Sequence, residues 1–214
     1  MTPVSLRRWQ TGEILDGVWR FEQPHPEWDT SDDDWPQDVA WWALLTGAGV
    51  VLIDPLVNDW TALDGLLRAH NGCAAVVRTC YWHHRSVDQP ATRYHVGVWA
   101  LPAPTPPQRR CDHPIASGSW LPGGLTAYAV GRFDEVAVWF PDQAALFFGD
   151  VALRTETGQA TLCPESWLAP LDGARQVRRA LNPMLDLPVE HVLVSHGPPV
   201  IGDGRRALES VLRI

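Results

Sequence analysis

The sequence predicts an α+β protein built as two halves of one plan, each a sheet covered on one side by helices. Three observations predict it. Strands, helix, strand, helix and strand run through the first half, and strands, helix, strand and helix through the second. Glu135–Asp150 (EVAVWFPDQAALFFGD) reads as a strand, a turn at Pro141–Asp142 and a second apolar strand that delivers Asp150 at its end. Val192–Gly197 (VLVSHG) delivers His196 in the same way. An ionisable side chain just past a buried strand is held by the sheet and opens to solvent at its rim, where sites are built.

The elements follow in order. Gly12–Phe21 reads as an opening strand pair, and Gln23–Gln37, rich in Pro, Asp and Trp, as a polar loop. Val39–Leu45 and Gly49–Ile53 are strands joined by the Thr46–Gly49 turn, a hairpin signal. Asp59–Ala69 places Trp60, Leu63, Leu66 and Leu67 on one helical face, and Asn71–Gly72 stops it. Ala74–Arg78 is a short apolar strand. Ser86–His95 is a helix if Pro90 lies in its first turn or kinks it. Val96–Leu101 is a strand and Pro102–Pro107 a loop. Leu125–Val130, Ala137–Phe140 and Ala144–Phe148 are three strands. Ala169–Leu181 is a helix with Leu171, Ala174, Val177 and Leu181 on one stripe, Val192–Val194 a strand, and Arg205–Leu212 a terminal helix. No linker separates the halves, so the expectation is one domain over residues 1–214.

Composition narrows the chemistry. The chain has 214 residues, 45% apolar and 20% charged, enough for a substantial core. Its net charge of -8 disfavours nucleic acid and anionic membranes as partners. All 17 basic residues are arginine, which excludes a lysine Schiff base, a lysine nucleophile and the lysine of a phosphate-binding loop. The 4 cysteines form no CxxC pair, no apolar leader stands at the N-terminus, and no run reaches the roughly 20 apolar residues of a membrane span. A cytoplasmic protein is the expectation. The 12 tryptophans are mostly sheet-face packing, but Trp28, Trp35 and Trp60 sit in polar context and point to a cleft or a homodimer interface.

Gly49–Pro55 (GVVLIDP), Ala75–Ser86 (AVVRTCYWHHRS), Gly131–Asp150 and Val192–Pro198 together resemble the metallo-β-lactamase superfamily in order and separation. The resemblance implies a four-layer αββα sandwich of two mixed sheets, with the site at one edge. The family's THxHxDH motif meets Thr79, but Cys80 and Trp82 fall at its first two histidines, His84 at its aspartate and Arg85 at its last histidine. With one residue inserted, His83 falls at the second histidine. The histidine expected before the hairpin has no counterpart in Val130–Asp134. Asp150 and His196 match the bridging aspartate and the final histidine, and Asp54 the aspartate that ends the early strand.

The resemblance therefore implies a damaged site. The metal-ligand candidates are His83, His84, Asp150 and His196, with Cys80 a soft further donor, and the expectation is at most one zinc per chain. The catalytic candidates are His84, Asp150, His196 and Arg85, while Asp54 and Thr79 support the ligand-bearing loop. Adjacent His83 and His84 point opposite ways in an extended segment, and His84 is preferred as the one facing the site. Arg85 could replace a metal's charge, pair with Asp150 or bind an anionic substrate. Cys80 alone reads as a buried, inert thiol. His25 lies where a loop could cover the cleft, and His113, in CDHP, carries only a weak metal signal. Two functions follow: a hydrolase of a small ester, thioester, lactone or phosphoester, or a catalytically silent member that binds a ligand or protein partner through the same cleft.

Overall fold

A computed structural model describes residues 11–31, 35–102, 109–132, 134–155, 158–169 and 172–213. In the first half, β1 (Gly12–Leu15), β2 (Val18–Pro24), β3 (Asp38–Thr46), β4 (Gly49–Ile53), β5 (Cys73–Arg78), β6 (Val98–Ala100) and β7 (His113–Pro114) form one sheet in sequential order. Strands β1 to β4 are antiparallel neighbours, and β4 to β7 are parallel. In the second half, β8 (Trp120–Leu121), β9 (Leu125–Ala129), β10 (Val136–Phe140), β11 (Ala145–Phe148), β14 (His191–Val194) and β15 (Val200–Ile201) form a second sheet, in which only β11 and β14 run parallel. The short hairpin β12 (Ala152–Arg154) and β13 (Ala160–Leu162) stands apart.

Three apolar clusters define the layers. Trp42, Leu44, Val51, Ile53 and Val77 of the first sheet pack on Leu125, Val136, Val138, Phe147 and Leu193 of the second, so the inner faces meet. Trp42 and Phe147 meet edge to face across this seam, their centroids 5.9 Å apart. The outer face of the first sheet is covered by α1 (Trp60–Ala69) through Leu63 and Leu67, and by α2 (Asp88–Arg93) through Ala91. The outer face of the second is covered by α3 (Gly173–Leu181) through Val177 and Leu181, and by α4 (Gly204–Leu212) through Ala207, Leu208 and Val211. The result is the expected αββα sandwich of two mixed sheets. With both faces of each sheet covered, β4, β10, β11 and β14 are buried throughout and read as continuous apolar runs.

Local chemistry sets the element ends. Asp59 caps α1 by accepting the Ala62 N–H at 2.9 Å, and Gly72 closes it by donating to the Leu67 carbonyl at 2.8 Å. Pro90 falls in the first turn of α2, where its missing N–H costs nothing. Helix α3 begins at Gly173 instead of Ala169, directly after Asp172, whose left-handed φ of +72 is not helical backbone. Leu171, expected on its apolar stripe, lies outside the described residues. Strands β7, β8, β12, β13 and β15 were not expected; each has two or three residues, too few for an alternating pattern to register.

Candidate metal site and cleft

Strand register assembles the site. In the parallel pair β11–β14, Phe148 is opposite Val194. Asp150 and His196 each lie two residues further on, and His196 Nε2 reaches Asp150 Oδ1 at 3.2 Å. In β4–β5, Ile53 is opposite Val77. Asp54 and Thr79 follow these strands, and Asp54 Oδ1 accepts the Thr79 N–H at 2.7 Å while Oδ2 accepts its hydroxyl. Asp54 holds φ +49 and Arg85 φ +29, backbone that non-glycine residues rarely adopt, and both lie at the site.

His83 ties the two sheets together. Its Nδ1 lies 2.7 Å from Asp54 Oδ2 and its Nε2 2.8 Å from Asp150 Oδ1. Cys80 Sγ approaches the other oxygen, Asp150 Oδ2, at 3.2 Å. Burial and Arg85 pull the His83 pKa down, but Asp150 and Asp54 outweigh them and hold it up, at about 9. Burial opposes ionisation of Asp150, yet the two imidazoles keep its pKa well below the carboxylate range. Burial, then Asp150 and Glu135, raise the Cys80 thiol well above its ordinary value. Burial lowers His196, whose buried Nδ1 has no hydrogen-bond partner among the described residues.

The preference for His84 as the histidine that reaches the common centre does not match the geometry, although both line the cleft. Residues 81–87 are a run of turns, with the His83 N–H on the Cys80 carbonyl and the Val87 N–H on that of His84. Strand alternation therefore does not apply, and His83 takes the centre. His84 stands at the cleft rim, its Nδ1 3.1 Å from the Trp82 carbonyl and its Nε2 3.7 Å from Glu27. Arg85 is half-buried, and its Nη1 donates to the carbonyls of Ala40 and Asp54, not to Asp150. His113 is exposed on β7 and stacks on Trp99, with Cys111 turned to the Ala100 carbonyl.

Glu135 was missed. Fully buried, its Oε1 accepts the N–H groups of Gly149, Asp150 and Val151 at 3.1, 3.0 and 3.0 Å. Burial and Asp150 push its pKa up to about 8. Beside it Arg132 forms a two-point contact with Asp134 at 3.0 and 3.1 Å. The available signal was a charged Asp134–Glu135 pair at the mouth of an all-apolar strand. Gly131, where the resemblance lacks a histidine, explains that lack: at φ +84 its missing Cβ would fall 2.7 Å from the Gln176 carbonyl oxygen of α3.

A cavity of about 710 Å³ opens over this centre, with Val39, Leu168 and Val177 on its walls and His25 and Glu27 at its mouth. Trp35 and Trp167 both set ring edges against His196, with centroids 5.4 and 5.7 Å away. Trp28 braces this cover by donating Nε1–H to the Trp35 carbonyl at 3.1 Å.

The donors fit one zinc-like ion. Cys80, His83 and Asp150 offer a sulfur, a nitrogen and an oxygen mutually within 4.8 Å, and His196 adjoins Asp150. The Asp54–His83 contact is the carboxylate–imidazole pairing that orients metal-binding histidines.

No protein-family model and no curated protein matches the sequence. Solved structures do. A metallo-β-lactamase from Erythrobacter litoralis, with β-mercaptoethanol in its active site, superposes with a TM-score of 0.69 at 18% identity over 94% of this chain and 93% of that one. The metallo-β-lactamase FIM-1 from Pseudomonas aeruginosa, in a mono-zinc form, gives 0.70 at 14% identity over 95% and 93%. One from Pontibacter korlensis gives 0.65 at 18% over 96% and 97%. Full-length agreement with these structures, at identities that speak for architecture alone, shows that the chain has the metallo-β-lactamase fold.

Proposed function

We propose that residues 1–214 form a single-domain, divergent metallo-β-lactamase-type hydrolase that works with one zinc-like ion on a small ester, thioester, lactone or phosphoester. The observation that carries this reading is His83 held between Asp54 and Asp150 with Cys80 alongside. Cys80, His83 and Asp150 would hold the ion, with His196 beside them. Such an ion supplies Lewis acidity toward a scissile carbonyl or phosphoryl group and eases deprotonation of water.

The chain's own residues do the rest. Asp54 fixes the ring plane of His83 and, through Thr79, the loop that carries it. Asp150 is the anion on which both imidazoles converge. Trp35 and Trp167 shield His196 from water, so charges in the centre interact more strongly than in solvent. The apolar walls accommodate an uncharged portion of substrate and His84 stands at the entrance. A panel of esters, thioesters, lactones and phosphoesters with added Zn²⁺, Mn²⁺ or Fe²⁺ tests the reading. Turnover that needs metal and disappears in His83→Ala and Asp150→Ala supports it; turnover unchanged in both variants contradicts it.

Arg85 favours a second reading, a silent ligand-binding member. Its half-buried guanidinium lies close enough to Asp54 and Asp150 to interact with both, supplying positive charge without a metal. Failure of the whole panel, together with cleft binding lost on substitution of His196, would select that reading. Homodimer formation and a cytosolic setting also remain proposals. The first rests on tryptophan, since Trp120 and Trp82 keep 76% and 59% of their surface exposed. Among the described residues no helix is long and apolar enough to cross a membrane.

A further inference from the structure

We propose that Glu135 is the positioning residue that sets Cys80 and Asp150 at the spacing of a single ion; this rests on the one-ion reading above. Cys80 and Asp150 come from different sheets, on loops after β5 and β11. Something must fix one loop against the other, and Glu135 touches both. Its backbone forms an antiparallel bridge with Cys80, flanked by the Tyr81 N–H on the Asp134 carbonyl at 2.8 Å and the Val136 N–H on the Thr79 carbonyl at 2.9 Å. Its side chain gathers the three successive N–H groups of Gly149, Asp150 and Val151 on one oxygen.

One residue thus anchors the thiol-bearing loop by its main chain and the carboxylate-bearing loop by its side chain. Gly149 allows the close approach: a Cβ there would meet Thr79 Oγ1 at 2.9 Å, Cys80 Cβ at 3.2 Å and Glu135 Oε1 at 3.3 Å. Residues 149–151 lie outside the strands, so among the described residues no ladder neighbour takes Oε1's place, and buried backbone donors require an acceptor. Removing that acceptor frees the Asp150 backbone while the Asp150 side chain, Cys80 and His83 are all still present. The role belongs to an oxygen at this point in space, so a glutamine amide oxygen can fill it and alanine cannot.

Cobalt(II) titration against a competing chelator, in wild type, Glu135→Gln and Glu135→Ala, tests this together with amide hydrogen exchange of the metal-free proteins. Glu135→Gln should bind cobalt within about 3-fold of wild type and keep residues 149–151 protected. Glu135→Ala should lose about 10–100-fold in cobalt affinity, the usual loss when a supporting group of a metal ligand is removed, with faster exchange confined to residues 149–151. Should Glu135→Ala fail to fold, Glu135→Asp, one methylene shorter, takes its place with the same direction expected. Wild-type cobalt affinity in the alanine or aspartate variant overturns the proposal, as does a glutamine variant as weak as alanine. If wild type takes up no cobalt, the metal reading fails instead, and exchange at residues 149–151 alone decides whether Glu135 positions the loop.

Discussion

Asp54 shows how much one side chain can carry at this site. It is buried and accepts from the Thr79 main chain, the Thr79 hydroxyl and His83. Removing it leaves three buried groups without an acceptor, one of them an imidazole beside Asp150. Asp54→Ala should therefore destabilise the protein by about 3–5 kcal/mol, the range for breaking a buried ion pair from one side, read as a lowered urea midpoint. The two histidines should separate cleanly. His84→Ala, at the rim, should change stability by no more than about 0.5 kcal/mol and leave metal binding intact, while His83→Ala abolishes binding; equal effects would refute the assignment of His83 to the centre. At this scale the sequence was only partly legible. Asp150 and His196 could be read because each follows an apolar strand. The choice between His83 and His84 could not, because it depends on turns in residues 81–87 that have no period to detect. Glu135 was hidden because its role is to accept main-chain N–H groups of residues 149–151, which a sequence pattern does not display.

Among the elements, helix α3 decides what the site cannot become. Its backbone lies against Gly131, which stands in left-handed backbone. Gly131→His, the change that would restore the absent histidine, should cost about 1–2 kcal/mol for the backbone alone and about 1–3 kcal/mol more for the overlap with Gln176 and Val177. A thermal melt should fall by several degrees, and metal stoichiometry should not rise; a stable variant with a second bound ion would contradict the geometry. The long strands were legible because burial on both faces leaves uninterrupted Val, Leu, Phe and Ala runs. The start of α3 was not, since the left-handed turn at Asp172 that precedes it leaves no mark in an apolar pattern.

Over the whole molecule, the sandwich holds the site by clamping two sheets whose loops each supply half of it: Asp54, Cys80 and His83 from one, Asp150 and His196 from the other. Phe147→Ala at the seam should cost about 3–5 kcal/mol and loosen the centre with the core, so metal affinity and denaturation midpoint fall together. The layer order was legible from the strand–helix plan and the resemblance; the cover of Trp35 and Trp167 over His196 was not, because it joins segments far apart in sequence. That cover also gives Trp35 a place to pack without a partner chain. Light scattering decides the assembly: a mass near the chain's 23.8 kDa across the micromolar range ends the dimer proposal, and twice that mass, lost in Trp120→Ser, locates the contact. The central claim, a site built for one ion, is tested most directly by elemental analysis of protein loaded with excess zinc and then desalted. One zinc per chain, lost in His83→Ala, is the predicted result; two per chain, or none, would contradict it.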